Sequence, residues 1–360
     1  MSRLESFGLD ANVHAAFAAR LRSEFVLGRV VEEQREALLV ALEARDQRCV
    51  ISGRLRHEAV DRLDVPVVGD WVEVTAPRPG ISGDGVVHAV LPRRSVLARR
   101  EVGRAGSAQP IAANVDVVLI ATSANADFSV GRLERYVALA WESGAQPVVL
   151  LTKLDVCADG AAYVAMAQTA LPGVPVVAVS AVTGIGLDSL APHLATGRTA
   201  ALVGSSGVGK STLVNRLLGR DEQRVLSIRA HDATGVHTTT SRRLLLLPSG
   251  ALLVDTPGMR EVGLADDDGG VASTFADIEA LAADCRFRDC AHAVEPGCGV
   301  RAAIDDGRLD PRRLASYEKL RREARWIARK HDPAARAVKR KEWKQRSAAT
   351  EQWRRLKDEA

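Results

Sequence analysis

One segment of the chain has the composition and spacing of a phosphate-binding loop. Residues 204–211 read GSSGVGKS, which fits the pattern G-x-x-x-x-G-K-[ST]. An apolar strand is predicted immediately before the loop, at Ala200–Val203, and a helix after it, at Thr212–Leu218. Glycines let the backbone curl so that successive N–H groups point at phosphate oxygens, and the helix N-terminus adds partial positive charge. In such a loop Lys210 reaches the β- and γ-phosphates, and the Ser211 hydroxyl ligates Mg²⁺. The predicted phosphate contacts are Gly204, Ser205, Ser206, Gly207, Val208, Gly209, Lys210 and Ser211.

A second phosphate-site element follows the apolar strand Leu252–Val254. In its sequence, DTPG, Asp255 can hold Mg²⁺ through water, and the Gly258 amide can meet a γ-phosphate. Three consecutive threonines lie in a polar loop between this element and the phosphate loop, and one of their hydroxyls can complete the Mg²⁺ shell. The sequence does not decide which of the three does so: Thr238, Thr239 or Thr240.

Two further strand ends carry the residue types that recognise guanine. Residues 152–155 (TKLD) follow one predicted strand, and Ser180-Ala181 follows the next. A carboxylate at Asp155 accepts from N1 and N2 of guanine and rejects adenine, Lys153 can lie over the purine face, and an amide of the second loop can donate to O6. Thr152 stands where such motifs usually carry Asn, and the sequence does not decide whether its shorter side chain weakens guanine binding. The predicted base contacts are Thr152, Lys153, Leu154, Asp155, Ser180 and Ala181.

These elements occur in an unusual order along the chain. In most GTPases the phosphate loop comes first and the base-recognition loops come last. Here the base-recognition loops precede the phosphate loop, which is followed by the threonine run and then by Asp255. This order indicates a circularly permuted GTPase domain. It also places the DTPG segment directly before the C-terminal region, so that segment is predicted to pass the nucleotide state to the region.

The position that often carries a water-orienting glutamine has a different residue here. Many GTPases carry Gln just after the glycine of the second phosphate element, but Met259 occupies that position. Methionine is neither a useful donor nor a useful acceptor, so either another group orients the attacking water or hydrolysis stays slow until a partner assists. His237, beside the threonine run, is the candidate orienting group, and the alternative is that it packs within its loop or makes a backbone hydrogen bond. Lys210 is the second predicted catalytic residue.

A cluster of potential metal ligands lies in the C-terminal third of the chain. Cys285, Cys290, His292 and Cys298 supply three thiolates and one imidazole, a donor set suited to tetrahedral Zn²⁺. In a cytoplasmic chain such a cluster holds a metal more often than it forms disulfides. Because four protein ligands leave no open position, we expect one structural zinc ion.

The charge of the chain is unevenly distributed. The net charge is +4, but residues 308–357 carry 18 Lys and Arg against 6 Asp and Glu, a net of +12, which leaves −8 on the remainder. A basic segment of this kind points to a polyanionic partner. Its helical part has Trp326 interleaved with basic residues, as expected of an RNA-backbone contact: Arg312, Arg313, Arg321, Arg322, Arg325, Arg329 and Lys330.

Composition excludes several classes of protein. The chain has 360 residues, of which 46% are hydrophobic, so it can form two or three domains and is too apolar to remain unfolded. No run approaches the ~18 apolar residues of a membrane span, and the N-terminus lacks the apolar run of a secretory signal. We therefore expect a cytoplasmic protein with no membrane partner.

Strand-length patterns predict two β-containing regions. Five short segments between about residues 25 and 91 predict a small barrel, for which the OB-fold is the commonest candidate and an SH3-like barrel an alternative. From Val115, apolar strands alternate with helix-length segments, which is typical of a parallel sheet covered on both faces. Residues 99–110 lack periodicity and are predicted to form a linker. The predicted segments are an N-terminal extension (1–24), the barrel (25–105), the GTPase domain (106–272), a zinc-binding domain (273–332) and a basic helical tail (333–360).

Taken together, these features resemble the ribosome small-subunit-dependent GTPase A family. The resemblance rests on the permuted motif order and the C-x4-C-x-H-x5-C cluster, and on VVGDWV at 67–72, QPIAANVD at 109–116 and HTTT at 237–240. It implies an α/β circularly permuted GTPase domain between an N-terminal OB-fold barrel and a C-terminal helical zinc domain. It also implies nucleotide contacts at 152–155 and 204–212, the latter range adding Thr212, and zinc ligation by the four clustered residues.

The resemblance further implies a function in ribosome maturation. Members of that family bind the 30S subunit late in its assembly, and the subunit stimulates hydrolysis of GTP to GDP. The expected partners are therefore GTP with Mg²⁺, the 30S subunit and its 16S rRNA, and a monomer is expected. Two alternatives remain open: a GTP-switched protein acting on a non-ribosomal RNA, and a P-loop enzyme with a small-molecule substrate. Asp155 and Ser180-Ala181 argue against the second, because they point to guanine.

Overall fold

The computed structural model describes most of the chain: residues 2–20, 24–60, 62–77, 82–100, 108–125, 127–219, 242–255 and 269–331. The strands of this part are β1 Val26–Glu33, β2 Leu38–Leu42, β3 Asp46–Ile51, β4 Trp71–Thr75, β5 Gly85–Val90, β6 Val96–Arg100, β7 Ala108–Ala113, β8 Val117–Ser123, β9 Gln146–Thr152, β10 Val176–Ala178, β11 Thr199–Gly204, β12 Arg242–Leu246 and β13 Leu252–Asp255. Its helices are α1 Arg3–Ser6, α2 Ala11–Ala18, α3 Gly53–Glu58, α4 Val130–Glu142, α5 Gly160–Ala170, α6 Lys210–Leu218, α7 Gly269–Thr274, α8 Ala276–Ala282, α9 Gly299–Asp305 and α10 Pro311–His331. None of these helices is long and apolar enough to cross a membrane.

The five predicted N-terminal strands form a closed barrel. They pair in the order β1-β2-β3-β5-β4, and β4 pairs back onto β1, which confirms the OB-like architecture. The third strand ends at Ile51, because the Ser52 hydroxyl accepts from the Leu55 amide at 3.1 Å and caps α3. The fourth begins only at Trp71, because residues 67–70 form a turn in which the Asp70 carboxylate accepts from the Val67 amide at 2.8 Å.

The VVGDWV turn joins the barrel to the next part of the chain. Gly69 has φ +92°, and a Cβ at this position would lie 2.1 Å from the Ala113 carbonyl oxygen, so no larger residue fits. The Ala113 amide donates to the Val68 carbonyl at 2.9 Å, and the Asn114 side chain donates to the Gly69 carbonyl at 3.1 Å. The VVGDWV and QPIAANVD segments are therefore in direct contact.

The predicted linker at 99–110 was wrong at both of its ends. The strands β6 and β7 pair there as an antiparallel ribbon, with Arg99 opposite Gln109 and Ala98 opposite Pro110. Neither strand has the regular apolar alternation that would have predicted it. Both form because they pair with each other and are held by the turn described above.

The predicted parallel sheet is confirmed. Its strands are ordered β10-β9-β8-β11-β13 and are all parallel, and β12, which was not predicted, adds antiparallel to β13. Each face has its own apolar core. Tyr136 and Val137 of α4 belong to one, and Leu213 and Val214 of α6 belong to the other.

The barrel and the parallel sheet are hydrogen-bonded to each other. The strand β12 pairs antiparallel with β1, so that Glu32 lies opposite Arg243 and Glu33 opposite Arg242. Both facing pairs form ion pairs with N–O distances of 2.9 Å. The two domains therefore share one continuous sheet.

The C-terminal residues form a separate helical core. Phe275, Ile278 and Tyr317 are buried at its centre, and the aromatic rings of Phe275 and Tyr317 contact edge to face at 5.5 Å. Cys298 belongs to the same core, and so does Ala138 of α4. This domain thus packs directly on a helix of the parallel-sheet domain.

A buried ion pair holds the VVGDWV turn. Asp70 is fully buried and accepts two hydrogen bonds from Arg93, at 2.7 Å from Nε and 2.6 Å from Nη2. Burial raises the pKa of Asp70, and the bonds from Arg93 oppose that shift. The Arg93 guanidinium also donates to the Leu63 and Val65 carbonyls, so one side chain ties three segments together.

Replacing Asp70 by Asn is expected to destabilise the protein by about 3–5 kcal/mol, because Arg93 then remains buried without a counter-charge. Denaturant unfolding followed by far-UV circular dichroism measures this change. The matched control is Glu58→Gln, since Glu58 forms an exposed pair with Arg54 and contributes less than about 1 kcal/mol. Equal effects of the two substitutions would contradict the prediction.

Candidate nucleotide and metal sites

The predicted site loops meet at one edge of the parallel sheet. The strands that precede them run in the same direction, and their registers place Ala121 beside Gly204 and Ser123 beside Thr152. In open α/β sheets, ligands bind at the carboxyl ends of the strands. The permuted order along the chain therefore does not alter where the loops lie in space.

The predicted phosphate loop connects β11 to α6 as expected. Positive φ angles occur at Gly204 (+141°), Gly207 (+80°) and Gly209 (+92°), which allow the backbone to curl. A Cβ at Gly204 would lie 2.2 Å from the Ala121 carbonyl oxygen, so this position also requires glycine for space. Val208 is buried and anchors the loop, whereas Ser206 is exposed.

The lysine of the loop is held by backbone carbonyls, whereas the hydroxyl side chains that follow it are exposed. Lys210 Nζ donates to the carbonyls of Gly204 and Ser205, each at 2.6 Å, and thus lies within the curl. Ser211 and Thr212, in the first turn of α6, are exposed. A hydroxyl in that position is accessible to a cation, and the helix N-terminus favours anions.

Thr152 links the predicted base loop to the phosphate loop. It is buried, and its hydroxyl donates to the Val208 carbonyl at 2.6 Å and lies 3.2 Å from the Thr122 carbonyl. The hydroxyl thus reaches the phosphate loop without the longer side chain of Asn.

The predicted guanine-recognising carboxylate is oriented by the neighbouring loop. The fully buried Ser180 donates from its hydroxyl to Asp155 Oδ1 at 2.7 Å. The same hydroxyl accepts from the Thr183 amide at 3.1 Å, which fixes its direction. Asp155 itself is exposed, as a residue that meets a ligand must be. Lys153 has a left-handed backbone conformation with φ +63°, and Leu154 and Ala181 are half-buried beside it.

The second phosphate element is described only at its first residue. Asp255 ends β13 as predicted; burial raises the pKa of its carboxyl, and the Arg243 guanidinium opposes that shift. The other predicted residues of the two switch segments lie outside the described part of the chain: His237, Thr238, Thr239, Thr240, Gly258 and Met259.

One charged contact of the phosphate loop was not predicted. Arg132, in the first turn of α4, donates from Nη1 to the Ser205 hydroxyl at 2.5 Å, and its Nη2 pairs with Asp127 Oδ1 at 3.1 Å. The two residues of the first contact are 73 positions apart, so nothing in either motif points to it. The only signal is an arginine at the start of a predicted helix.

The three cysteines and the histidine converge as predicted. All four ligand atoms lie within 4.8 Å of one another. His292 Nδ1 is 3.6 Å from Cys285 Sγ and 3.5 Å from Cys298 Sγ, and these two sulfurs are 3.8 Å apart. Ligand atoms around a tetrahedral ion with metal–sulfur distances near 2.3 Å lie about 3.5–3.8 Å apart. The cluster can therefore hold one metal ion.

The loop that carries the cluster is stabilised by hydrogen bonds within the loop. The Glu295 carboxylate accepts from the amides of Ala291, Ala293 and Val294 at 2.9–3.0 Å. Cys298 then begins α9, and its sulfur accepts from the Arg301 amide at 3.4 Å.

The basic residues of α10 separate into two groups. Arg313 was predicted to face a partner but is buried: it donates to both carboxylate oxygens of Asp277 at 2.6 and 2.7 Å and lies over the Phe275 ring. Arg321 is half-buried against the Tyr317 ring. The exposed members are Arg312, Lys319, Arg322 and Arg325, with Trp326 also exposed. The side chains of Arg329 and Lys330 lie outside the described part.

The chain is similar to proteins of known family over most of its length. A sequence model described as RsgA GTPase matches residues 90–265. A protein of Opitutus terrae named small ribosomal subunit biogenesis GTPase RsgA is 47% identical over 348 residues, which are 95% of each chain. A protein of the same name from Streptomyces avermitilis is 46% identical over 349 residues, which cover 96% of this chain and 92% of the relative.

Solved structures share the same architecture. YjeQ from Thermotoga maritima superposes with a TM-score of 0.62 at 27% identity, covering 82% of this chain and 97% of that one. YloQ, described as a circularly permuted GTPase, superposes with a TM-score of 0.58 at 25% identity. The superposition covers 84% of this chain and 96% of that one. Since the similarity includes the barrel, the permuted nucleotide domain and the C-terminal region, the chain belongs to the RsgA family of circularly permuted GTPases.

Proposed function

We propose that this protein hydrolyses GTP on the small ribosomal subunit and assists the late maturation of that subunit. The observation that carries the proposal is the convergence of the phosphate loop, the Thr152 loop and the Asp155–Ser180 pair at one sheet edge. The names of relatives that match nearly the whole chain support the ribosomal role. Action on ribosomal subunits implies a cytoplasmic location, and the division of the chain into the five segments given above remains part of the proposal.

The nucleotide is proposed to lie along that edge. Amides of residues 204–211 and the N-terminus of α6 bind its phosphates, with Lys210 as the neutralising cation. Asp155 accepts from the guanine ring, and Ser180 holds its carboxylate in that orientation. A bound Mg²⁺ would neutralise phosphate charge, and Ser211 and Asp255 are the described residues proposed to hold it.

The metal of the cysteine–histidine cluster is proposed to be zinc. Three thiolates and one imidazole within 4.8 Å of one another suit Zn²⁺ better than the harder Mg²⁺ or Ca²⁺. Since all four positions are protein ligands, the ion stabilises the fold of residues 285–298 and takes no part in the reaction.

The proposed contact with 16S rRNA is the exposed face of α10. Arg312, Lys319 and Arg322 follow one another at helical spacing, and Trp326 continues the same face. Cations bind the phosphate backbone, and an exposed aromatic ring can stack on a base.

Purified small subunits are expected to accelerate GTP turnover strongly, and the stimulation is expected to weaken as salt rises, because phosphate contacts release counter-ions. Arg322→Ala should reduce the salt slope by about 0.7–0.9, the value for one lost phosphate contact. Steady-state phosphate release across a salt series measures both effects.

Arg198→Ala is the matched control for this series. Arg198 lies just before β11, at the opposite end of the strand from the phosphate loop, and we expect the salt slope of that variant to be unchanged. GTP turnover that small subunits do not accelerate would overturn the ribosomal role and favour a different RNA.

Thr152→Val is expected to weaken GDP binding about tenfold, because the buried Val208 carbonyl loses its donor and the two loops lose their link. Thr152→Ser keeps the hydroxyl and should bind within about twofold of the wild type. Titration with a fluorescent GDP analogue measures both affinities. Wild-type affinity in Thr152→Val would rule out the proposed role of this hydrogen bond.

The purified protein is expected to contain one zinc ion per chain, which Cys290→Ser removes. Elemental analysis by mass spectrometry measures the metal, and hydrogen exchange of residues 285–305 should accelerate when it is lost. Cys157→Ser, which alters a half-buried cysteine outside the cluster, should retain the ion. Full zinc occupancy in Cys290→Ser would disprove the assigned ligand set.

A further inference from the structure

One helix contacts both the phosphate loop and the C-terminal domain. Within a single turn of α4, Arg132 contacts the loop, while Glu134 and Arg135 contact α10. Backbone hydrogen bonds hold a helix turn together, so a displacement of the α4 backbone at one of these residues moves the others with it.

On the nucleotide side, Arg132 and Lys210 hold the same residue. Arg132 donates to the Ser205 hydroxyl, and Lys210 donates to the Ser205 carbonyl at 2.6 Å. Asp127 keeps the Arg132 guanidinium in place through Nη2. When nucleotide phosphates bind Lys210, we expect its hydrogen bond to the Ser205 carbonyl to weaken. Arg132 is the α4 side chain that contacts Ser205.

On the other side, the helix is joined to the C-terminal domain by charge. Arg135 Nη2 lies 2.7 Å from Glu323 Oε2, and the buried Glu134 lies 3.7 Å from Arg313 Nη1. Arg313 is in turn bound to Asp277 of α8, so the pairing reaches two helices of the domain.

Backbone packing makes the same connection. A Cβ on Gly270 of α7 would lie 2.2 Å from the Ala138 carbonyl oxygen of α4, so these two helices approach as closely as their backbones permit. Ala138 belongs to the C-terminal core together with Val271, Phe275 and Cys298. A movement of α4 would therefore shift the core that contains Cys298, a proposed metal ligand.

The charged interface also has hydrogen-bonding capacity that this arrangement leaves unused. Among the buried side-chain atoms of the described residues, Glu134 Oε2 and Arg135 Nε have no hydrogen-bond partner. Burial raises the pKa of Glu134, and a hydrogen bond from Ser316 and the charge of Arg313 oppose the shift. Unpaired buried polar atoms are costly, so a shift of α4 against α10 that paired these two atoms would recover part of that cost.

We propose that α4 transmits the occupancy of the phosphate loop to the C-terminal domain, with Arg132 as the positioning residue that links Ser205 to the helix. The proposal rests on the proposed function, since it requires a nucleotide in the loop. This route is separate from the one predicted through the DTPG segment, and it does not pass through residues 256–268. Nucleotide binding would change how α7, α8 and α10 pack, and hence the orientation of the exposed basic face of α10.

Hydrogen exchange of the full-length, metal-containing protein tests this route. Exchange in residues 269–282 and 311–327 is compared without nucleotide, with GDP and with a non-hydrolysable GTP analogue, all with Mg²⁺. In the wild type, nucleotide is expected to change exchange at these amides about fivefold or more, the lower end of typical coupling. Arg132→Ala should abolish most of that change, and Arg135→Ala, which leaves the phosphate loop intact, should do the same.

Two further variants sharpen the result. Ser205→Ala should lose as much of the change as Arg132→Ala, and the double variant should lose no more, because both remove one interaction. Arg308→Ala breaks an exposed pair with Asp306 in the C-terminal domain and should leave the change intact.

Nucleotide binding is measured on the same samples by the fluorescent GDP titration. A full nucleotide response in Arg132→Ala, or no response in wild type that binds nucleotide, overturns the α4 route. A wild type that binds no guanine nucleotide contradicts the proposed function instead.

Discussion

Parallel pairing of β8, β9, β11 and β13 is the constraint on which the candidate site depends. Strands that run in one direction bring their carboxyl ends to one edge, whatever their order along the chain. The Thr152–Val208 hydrogen bond exists only because β9 and β11 both flank β8. The permutation therefore changes which ends of the chain are joined, and leaves the arrangement of the site loops intact.

The barrel is fixed to the same sheet at two points. Its first strand pairs with β12, and Arg29 of that strand is buried against the parallel-sheet domain, where it donates to the Thr199 hydroxyl at 2.9 Å. Burial lowers the pKa of Arg29 to about 10, which still leaves it charged at neutral pH. Because Thr199 begins the strand that leads to the phosphate loop, the barrel is held at a fixed position relative to the site.

The C-terminal domain uses its arginines for two different purposes. Arg313 pairs with the buried Glu134 of α4 and with the half-buried Asp277, whereas Arg322 is exposed on the outer face. A buried ion pair of this kind costs more to break than it contributes as an attraction. It therefore specifies how the domain packs, while the exposed cations remain accessible to a polyanion.

The sequence by itself indicated the candidate residues for phosphate, guanine and metal binding, because each of these ligands requires a local spacing that is visible in a few consecutive residues. It also indicated the five-stranded barrel and the parallel sheet, since strand length and apolar runs are local properties. The tertiary structure alone decided the partners across long separations. It paired β6 with β7 where a linker was predicted, buried Arg313, and joined Arg132 to Ser205. Those contacts depend on which surfaces the packed sheet and helices bring together, and no local pattern encodes that.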